Sequence, residues 1–180
     1  MTASNLNLFK VLNTSLVIMK IVFIQTGGTI DKDYPMIKNG YAFEIAEPAV
    51  ERILQKVNPN FDFETISVLK KDSLDITEDD REKIYAACQK ASSDKIIITH
   101  GTDTMIETAK KLSAIKNKTI ILTGAMKPEK FSDSDASFSV GTAIGAINVL
   151  SNGVYIAMNG RIYPWNKVER NLETGQFVEK

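Results

Sequence analysis

The 180-residue sequence predicts a single α/β domain, a three-layer α/β/α sandwich on a mostly parallel sheet. Three observations carry that expectation. Runs such as Ile96-Ile97-Ile98 and Ile120-Ile121-Leu122 are apolar at successive positions, as in strands covered on both faces. Stretches with helical spacing separate these runs. Two of the runs are followed directly by glycine and hydroxyl residues, Thr26-Gly27-Gly28-Thr29 and His100-Gly101-Thr102-Asp103-Thr104.

Taken in order, residues 20–25, 63–69, 95–99, 119–123 and 154–158 read as buried strands. Val50, Ile53, Leu54 and Val57 recur at helical spacing after Pro48, which suits a first turn. Ile84, Ala87, Cys88 and Ala91 define a second helix, with Thr77 and Asp80 spaced as a capping box. Met105, Ala109 and Leu112 give a third helix. Val140, Ile144, Ile147 and Leu150 give a fourth, stopped by Asn152-Gly153, with Asp133 or Asp135 expected to cap its start. This alternation predicts helices on both faces and right-handed crossovers. Residues 1–18 are expected to be a disordered extension, with Met19 a candidate translation start. Residues 19–165 form the expected domain, and 166–180 read as a tail.

Composition narrows the classes of function. The 22 basic residues balance 22 acidic ones, which argues against nucleic acid or an anionic membrane as partner. One cysteine excludes an internal disulfide and points to a reducing, cytoplasmic setting. One histidine beside it disfavours a zinc or iron–sulfur site, so no metal or organic cofactor is expected. Asn13, Thr14 and Ser15 interrupt the apolar core a secretory signal would need. No run reaches the roughly 20 apolar residues of a membrane-spanning helix.

The loops after the strands hold the chemistry. Their glycines lack the pattern of a P-loop or a dinucleotide-binding turn. They leave room for a small ligand near Thr29, or simply make a tight turn capped by threonines. Thr102 and Asp103 suit a helix N-cap; the same acid beside a hydroxyl suits a ligand amine or a proton relay. Asp72-Ser73 forms a third such loop. A threonine hydroxyl needs activation to act as a nucleophile, and the sequence leaves the activating base open. His100, Cys88, Trp165 and Phe177 read as structural residues.

Four blocks, in order, resemble the bacterial-type L-asparaginases: Thr26-Gly27-Gly28-Thr29-Ile30, Asp72-Ser73, Ile98 through Thr108, and Thr123-Gly124-Ala125-Met126-Lys127-Pro128. The resemblance implies that Thr29 is a nucleophile attacking the side-chain amide of L-asparagine or a related small amide, releasing ammonia. Thr102 would activate water for deacylation. Asp103 would bind the substrate α-amino group and Ser73 its α-carboxylate, with Gly28, Asp72 and Gly101 beside them. A loop tyrosine would assist Thr29; Tyr34 is the first choice and Tyr41 the second. A basic partner for Thr102 would be Lys167, with Arg170 as the competing alignment. The resemblance also implies a homo-oligomer, dimer or tetramer. Two departures stand out: Leu74 replaces the usual polar residue after Ser73, and the chain is expected to lack the family's smaller second domain. The rival readings are a non-catalytic amino-acid-binding domain and a partner-binding domain on the same scaffold.

Overall fold

The computed structural model describes residues 19–34 and 43–180. The first half contains β1 (Lys20–Gly27), β2 (Lys32–Asp33), β3 (Glu44–Ile45), α1 (Ala49–Val57), β4 (Asp62–Lys71), α2 (Glu78–Lys90) and β5 (Lys95–Thr99). The second contains α3 (Met105–Leu112), β6 (Thr119–Thr123), α4 (Ala136–Ile147), β7 (Gly153–Met158), β8 (Arg161–Pro164), β9 (Val168–Arg170) and β10 (Phe177–Glu179). Six strands form the main sheet in the order β4-β1-β5-β6-β7-β8, every pairing parallel except β7 with β8.

Alternation along the central strands separates two cores. Val22, Ile24, Ile96, Ile98, Ile120 and Leu122 face α2 and α3, packing with Ile84, Cys88, Met105 and Leu112. Ile21, Phe23, Ile97 and Ile121 point the other way, onto Val50, Ile53 and Leu54 of α1 and Val140 and Ile147 of α4. A period of two with apolar residues at every position therefore yields helices on both faces, the expected three-layer α/β/α arrangement.

Local signals explain the element ends. Thr77 accepts from the Asp80 amide at 3.2 Å, and Asp80 accepts from the Thr77 amide at 3.1 Å, closing the anticipated capping box at α2. Residues 63–69 differ from the buried strand expected of them. They lie in β4 at the sheet edge, where Phe63 is exposed and Leu69 is the only buried side chain. Asn159 and Gly160, with φ of 54° and 77°, make a tight turn from β7 into the antiparallel β8. Residues 166–180 are also more than a tail: β9 pairs with β10, and Val168 and Phe177 are buried in the core. No helix among the described residues is long and apolar enough to cross a membrane. Residues 1–18 and Tyr41 lie outside the described residues.

Candidate active site

In chain order, the five parallel strands lie second, first, third, fourth, fifth across the sheet. The order reverses between β1 and β5, and ligands in such sheets bind at the carboxyl ends beside that switch point. Gln25 of β1 pairs in register with Thr99 of β5, so both strands deliver their loops at one level. The Gly28 amide donates to the Lys71 carbonyl at 2.9 Å, tying the first loop to β4. The His100 amide donates to the Thr123 carbonyl at 2.9 Å, tying the second to β6.

The three expected loops meet at two glycines, Gly28 and Gly101. Gly28 has φ of 84°, and a methyl group there would lie 2.3 Å from the Gly101 nitrogen. A methyl on Gly101 would lie 2.5 Å from the Ser73 hydroxyl oxygen. Only residues without a side chain permit that approach. Thr29 and Thr102, each one residue beyond these glycines, are both half-buried.

Ser73 and Asp103 form a shared corner. The buried Ser73 hydroxyl accepts from the Asp103 amide at 3.3 Å and lies 3.5 Å from Asp103 Oδ2. Thr104 Oγ1 donates to the Ser73 carbonyl at 2.7 Å. The cation at this corner is Arg170, whose Nη1 pairs with Asp103 Oδ1. Lys167 lies exposed at the end of the 3-10 turn Trp165–Lys167. Asp72 accepts from Leu74 at 3.4 Å and pairs with Lys32 at 2.8 Å; the Lys32 ammonium holds its carboxyl below the usual range. Asp72 thus fastens the Ser73 turn to β2.

One support beneath the loops, Asp31, was not singled out by sequence reasoning, and the acids before α4 take a different role from the one expected. Asp31, wholly buried, accepts from the Ala49 amide at 2.8 Å and from Thr99 Oγ1 at 3.4 Å. It therefore links the Thr29 turn to the start of α1 and the end of β5. Burial pushes its carboxyl up to about 6, against the lowering effect of the Ala49 amide, Gln25 and Thr99. Asp133 and Asp135 were expected to cap α4. Asp135 occupies that position without a capping bond; its carboxylate accepts instead from the Met126 and Lys127 amides at 3.0 Å. Asp133 pairs with Lys127. Both acids hold the Gly124–Pro128 loop, Asp135 through its backbone amides and Asp133 through the Lys127 ammonium.

His100 takes the structural role. Its Nδ1 donates to the Gly101 carbonyl at 2.7 Å, which leaves Nε2 to accept from Thr108 Oγ1 at 2.9 Å. Burial pushes its pKa down to about 4, so the ring is neutral. Tyr34 is 52% exposed, its ring 4.5 Å from that of Phe43. Among the described residues, no group of three or more His, Cys, Asp or Glu side chains is placed to hold a metal ion.

Comparison with known proteins agrees with this geometry. The family model described as asparaginase, N-terminal, matches residues 20–175. A glutaminase-asparaginase of Acinetobacter glutaminasificans is 31% identical over 176 residues, covering 89% of this chain and 53% of that relative. A glutamyl-tRNA(Gln) amidotransferase component from Methanococcus vannielii is 39% identical over 87 residues, 47% of this chain and 20% of that protein. The thermostable L-asparaginase structure from Thermococcus kodakarensis superposes with a TM-score of 0.77 at 29% identity, covering 89% of this chain and 51% of that one. The chain thus spans about half the length of the asparaginase relatives it matches. With its glycine contacts, switch-point loops and matched span all in agreement, the chain belongs to the asparaginase family, within the portion described as N-terminal.

Proposed function

We propose that this chain hydrolyses the side-chain amide of L-asparagine or a related small amide. Thr29 Oγ bonds to the amide carbonyl carbon, the carbon–nitrogen bond breaks, and the threonine proton leaves with nitrogen as ammonia. Water, oriented by Thr102, then attacks the ester; the acid departs and the Thr29 hydroxyl is restored. Backbone N–H groups of the glycine loops are the donors assigned to the developing oxyanion. Ser73 and Asp103 anchor the rest of the substrate. Arg170, in contact with Asp103, is a better candidate than the exposed Lys167 for the basic residue at this corner. A guanidinium stays protonated, so its contribution is charge and orientation, not proton abstraction. The same reading expects a cytoplasmic homo-oligomer.

The observation that carries this proposal is the backbone contact between Gly28 and Gly101 at the β1/β5 switch point, one residue before Thr29 on one loop and Thr102 on the other. The test is ammonia release from a panel of small amides by the wild type, Thr29→Ala and Thr102→Ala. Thr29→Ala should abolish release, and Thr102→Ala should slow deacylation. Rates unchanged by either substitution refute the proposal. Saturable ligand binding without ammonia from the wild type supports the amino-acid-binding rival instead.

A further inference from the structure

The turn that carries Thr29 is also gripped from outside the glycine-linked loops. The loop from β6 to α4 lays three consecutive residues against the chain around it. The Glu129 amide donates to the Ile30 carbonyl at 3.1 Å, one residue beyond Thr29. The Lys130 ammonium lies 3.4 Å from the Asp33 carboxylate, and the Phe131 ring 6.1 Å from that of Phe43. Lys130 and Phe131 are exposed, whereas Glu129 is buried. An exposed ion pair contributes little, so the hold on the turn falls to Glu129.

What fixes Glu129 is its carboxylate. Arg52 Nε donates to Oε2 and Lys56 Nζ to Oε1, both at 2.7 Å, and only 4% of the Glu129 side chain meets solvent. Charge-assisted bonds of this length are the strong ones. Both cations belong to α1, and Arg52 Nη1 also donates to the Glu47 carbonyl at 3.4 Å, so the anchor is the helix itself. The start of α1 binds the same turn from its other side, through the Ala49 amide and Asp31 Oδ1 at 2.8 Å. A closed circuit results, from Ile30 through Glu129, Arg52 and α1 to Ala49, and back to Asp31. Thr29 lies between the Gly28 tie to Lys71 and the Ile30 tie to Glu129, so its backbone is held on both sides.

We propose that Glu129 is a positioning residue for Thr29: its carboxylate, locked between Arg52 and Lys56, seats the β6–α4 loop so that its amide fixes the turn from which the Thr29 hydroxyl acts. Ser73 and Asp103 sit on other loops, and none of their hydrogen bonds among the described residues goes to Glu129, Arg52 or Lys56. Loosening Glu129 therefore displaces the reacting hydroxyl and spares the grip on the rest of the substrate. The rate part rests on the amidohydrolase reading; the seating of the turn does not.

Three measurements on the whole chain test it in the wild type, Glu129→Asp and Glu129→Gln: ammonia release from the amide panel, L-aspartate binding by calorimetry, and amide hydrogen exchange by NMR. Glu129→Gln keeps the shape without the charge; Arg52 and Lys56, 27% and 64% exposed, then still reach water. It should lower kcat about tenfold, less than the roughly hundredfold of a misplacement of about 1 Å. Glu129→Asp, which keeps the charge one methylene short, should fall between that variant and the wild type. Affinity for L-aspartate should stay within about twofold, because the lost effect acts in the transition state. The amides of Asp31, Lys32 and position 129 should exchange about tenfold faster, while that of Ile97 in β5 stays unchanged. A merely structural role would lower the ammonia rate and the number of binding sites in proportion, with exchange in the turn no faster than in β5; that result overturns the inference. So does an unchanged kcat in Glu129→Gln, or a loss of L-aspartate affinity along with it. Faster exchange in Glu129→Gln with no ammonia from the wild type overturns the amidohydrolase reading alone. If Glu129→Gln does not fold, Glu129→Asp and Lys56→Met carry the test. Both should speed exchange of the position-129 amide and lower kcat about twofold, the size of one exposed ion pair, and wild-type values in both overturn the inference.

Discussion

Asp31→Asn offers a direct measure of the burial penalty carried beneath the Thr29 turn. Burial pushes the Asp31 carboxyl up to about 6, with the Ala49 amide, Gln25, Thr99 and the Arg52 charge offsetting only part of that effect. An unfolded chain holds the same group near about 3.9. Between those values the folded protein binds the proton more tightly. The contribution to stability is therefore complete below about pH 4 and is lost as pH rises through about 6. Two units of difference correspond to about 3 kcal/mol, of which about 2 kcal/mol falls between about pH 4.5 and about pH 8. Asparagine keeps the shape and an acceptor for the Ala49 amide but does not ionise. Urea unfolding across that range, wild type minus variant, subtracts every other titration common to both. The difference should decline by about 2 kcal/mol as pH rises. A flat difference, or one that grows with pH, would refute the argument that burial outweighs the hydrogen bonds to Asp31.

Two further changes probe the loop contacts. Gly28→Ala places a methyl 2.3 Å from the Gly101 nitrogen at φ of 84°. It should destabilise the fold by at least about 2 kcal/mol and depress ammonia release; unaltered urea denaturation would show that the loops do not touch. Thr108→Val removes the donor to His100 Nε2 in a fully buried pair. Leaving that acceptor unsatisfied should cost about 1–3 kcal/mol by the same assay, and a neutral substitution would mean the ring finds another partner.

Much of the frame is legible from periodicity because β5 and β6 are buried on both faces. Their apolar runs, 95–99 and 119–123, coincide with the strand bounds. The capping box at Thr77 is equally local. What escapes is decided by neighbours distant in sequence. Residues 63–69 are apolar enough for a central strand, yet β4 has one sheet neighbour, and only the strand order reveals that. Asp135 is spaced as a cap for α4 but serves the Met126 and Lys127 amides in the preceding loop. The Asn159-Gly160 pair was a readable hairpin signal that would have marked 161–164 as a strand. Arg170 and Lys167 are indistinguishable by charge; the β9–β10 register, absent from any helical or alternating pattern in 166–180, brings Arg170 to Asp103.

The switch point also accounts for placing the proposed site between this loop pair, with the Ser73 loop beside them. After β1 the chain passes to α1, which packs on the Ile21 and Phe23 face. After β5 it passes to α3, which packs on the Val22 and Ile24 face. Neighbouring strands thus send their loops to opposite sides of the sheet, the arrangement beside which ligands bind in sheets of this kind. The Gly28–Gly101 contact joins those diverging loops, and the next residue on each path is a threonine. The Ser73 turn reaches Gly101 from β4. Side chains on both glycines would push the loops apart. The chemistry proposed for Thr29 and Thr102 therefore depends on two residues that contribute no functional group.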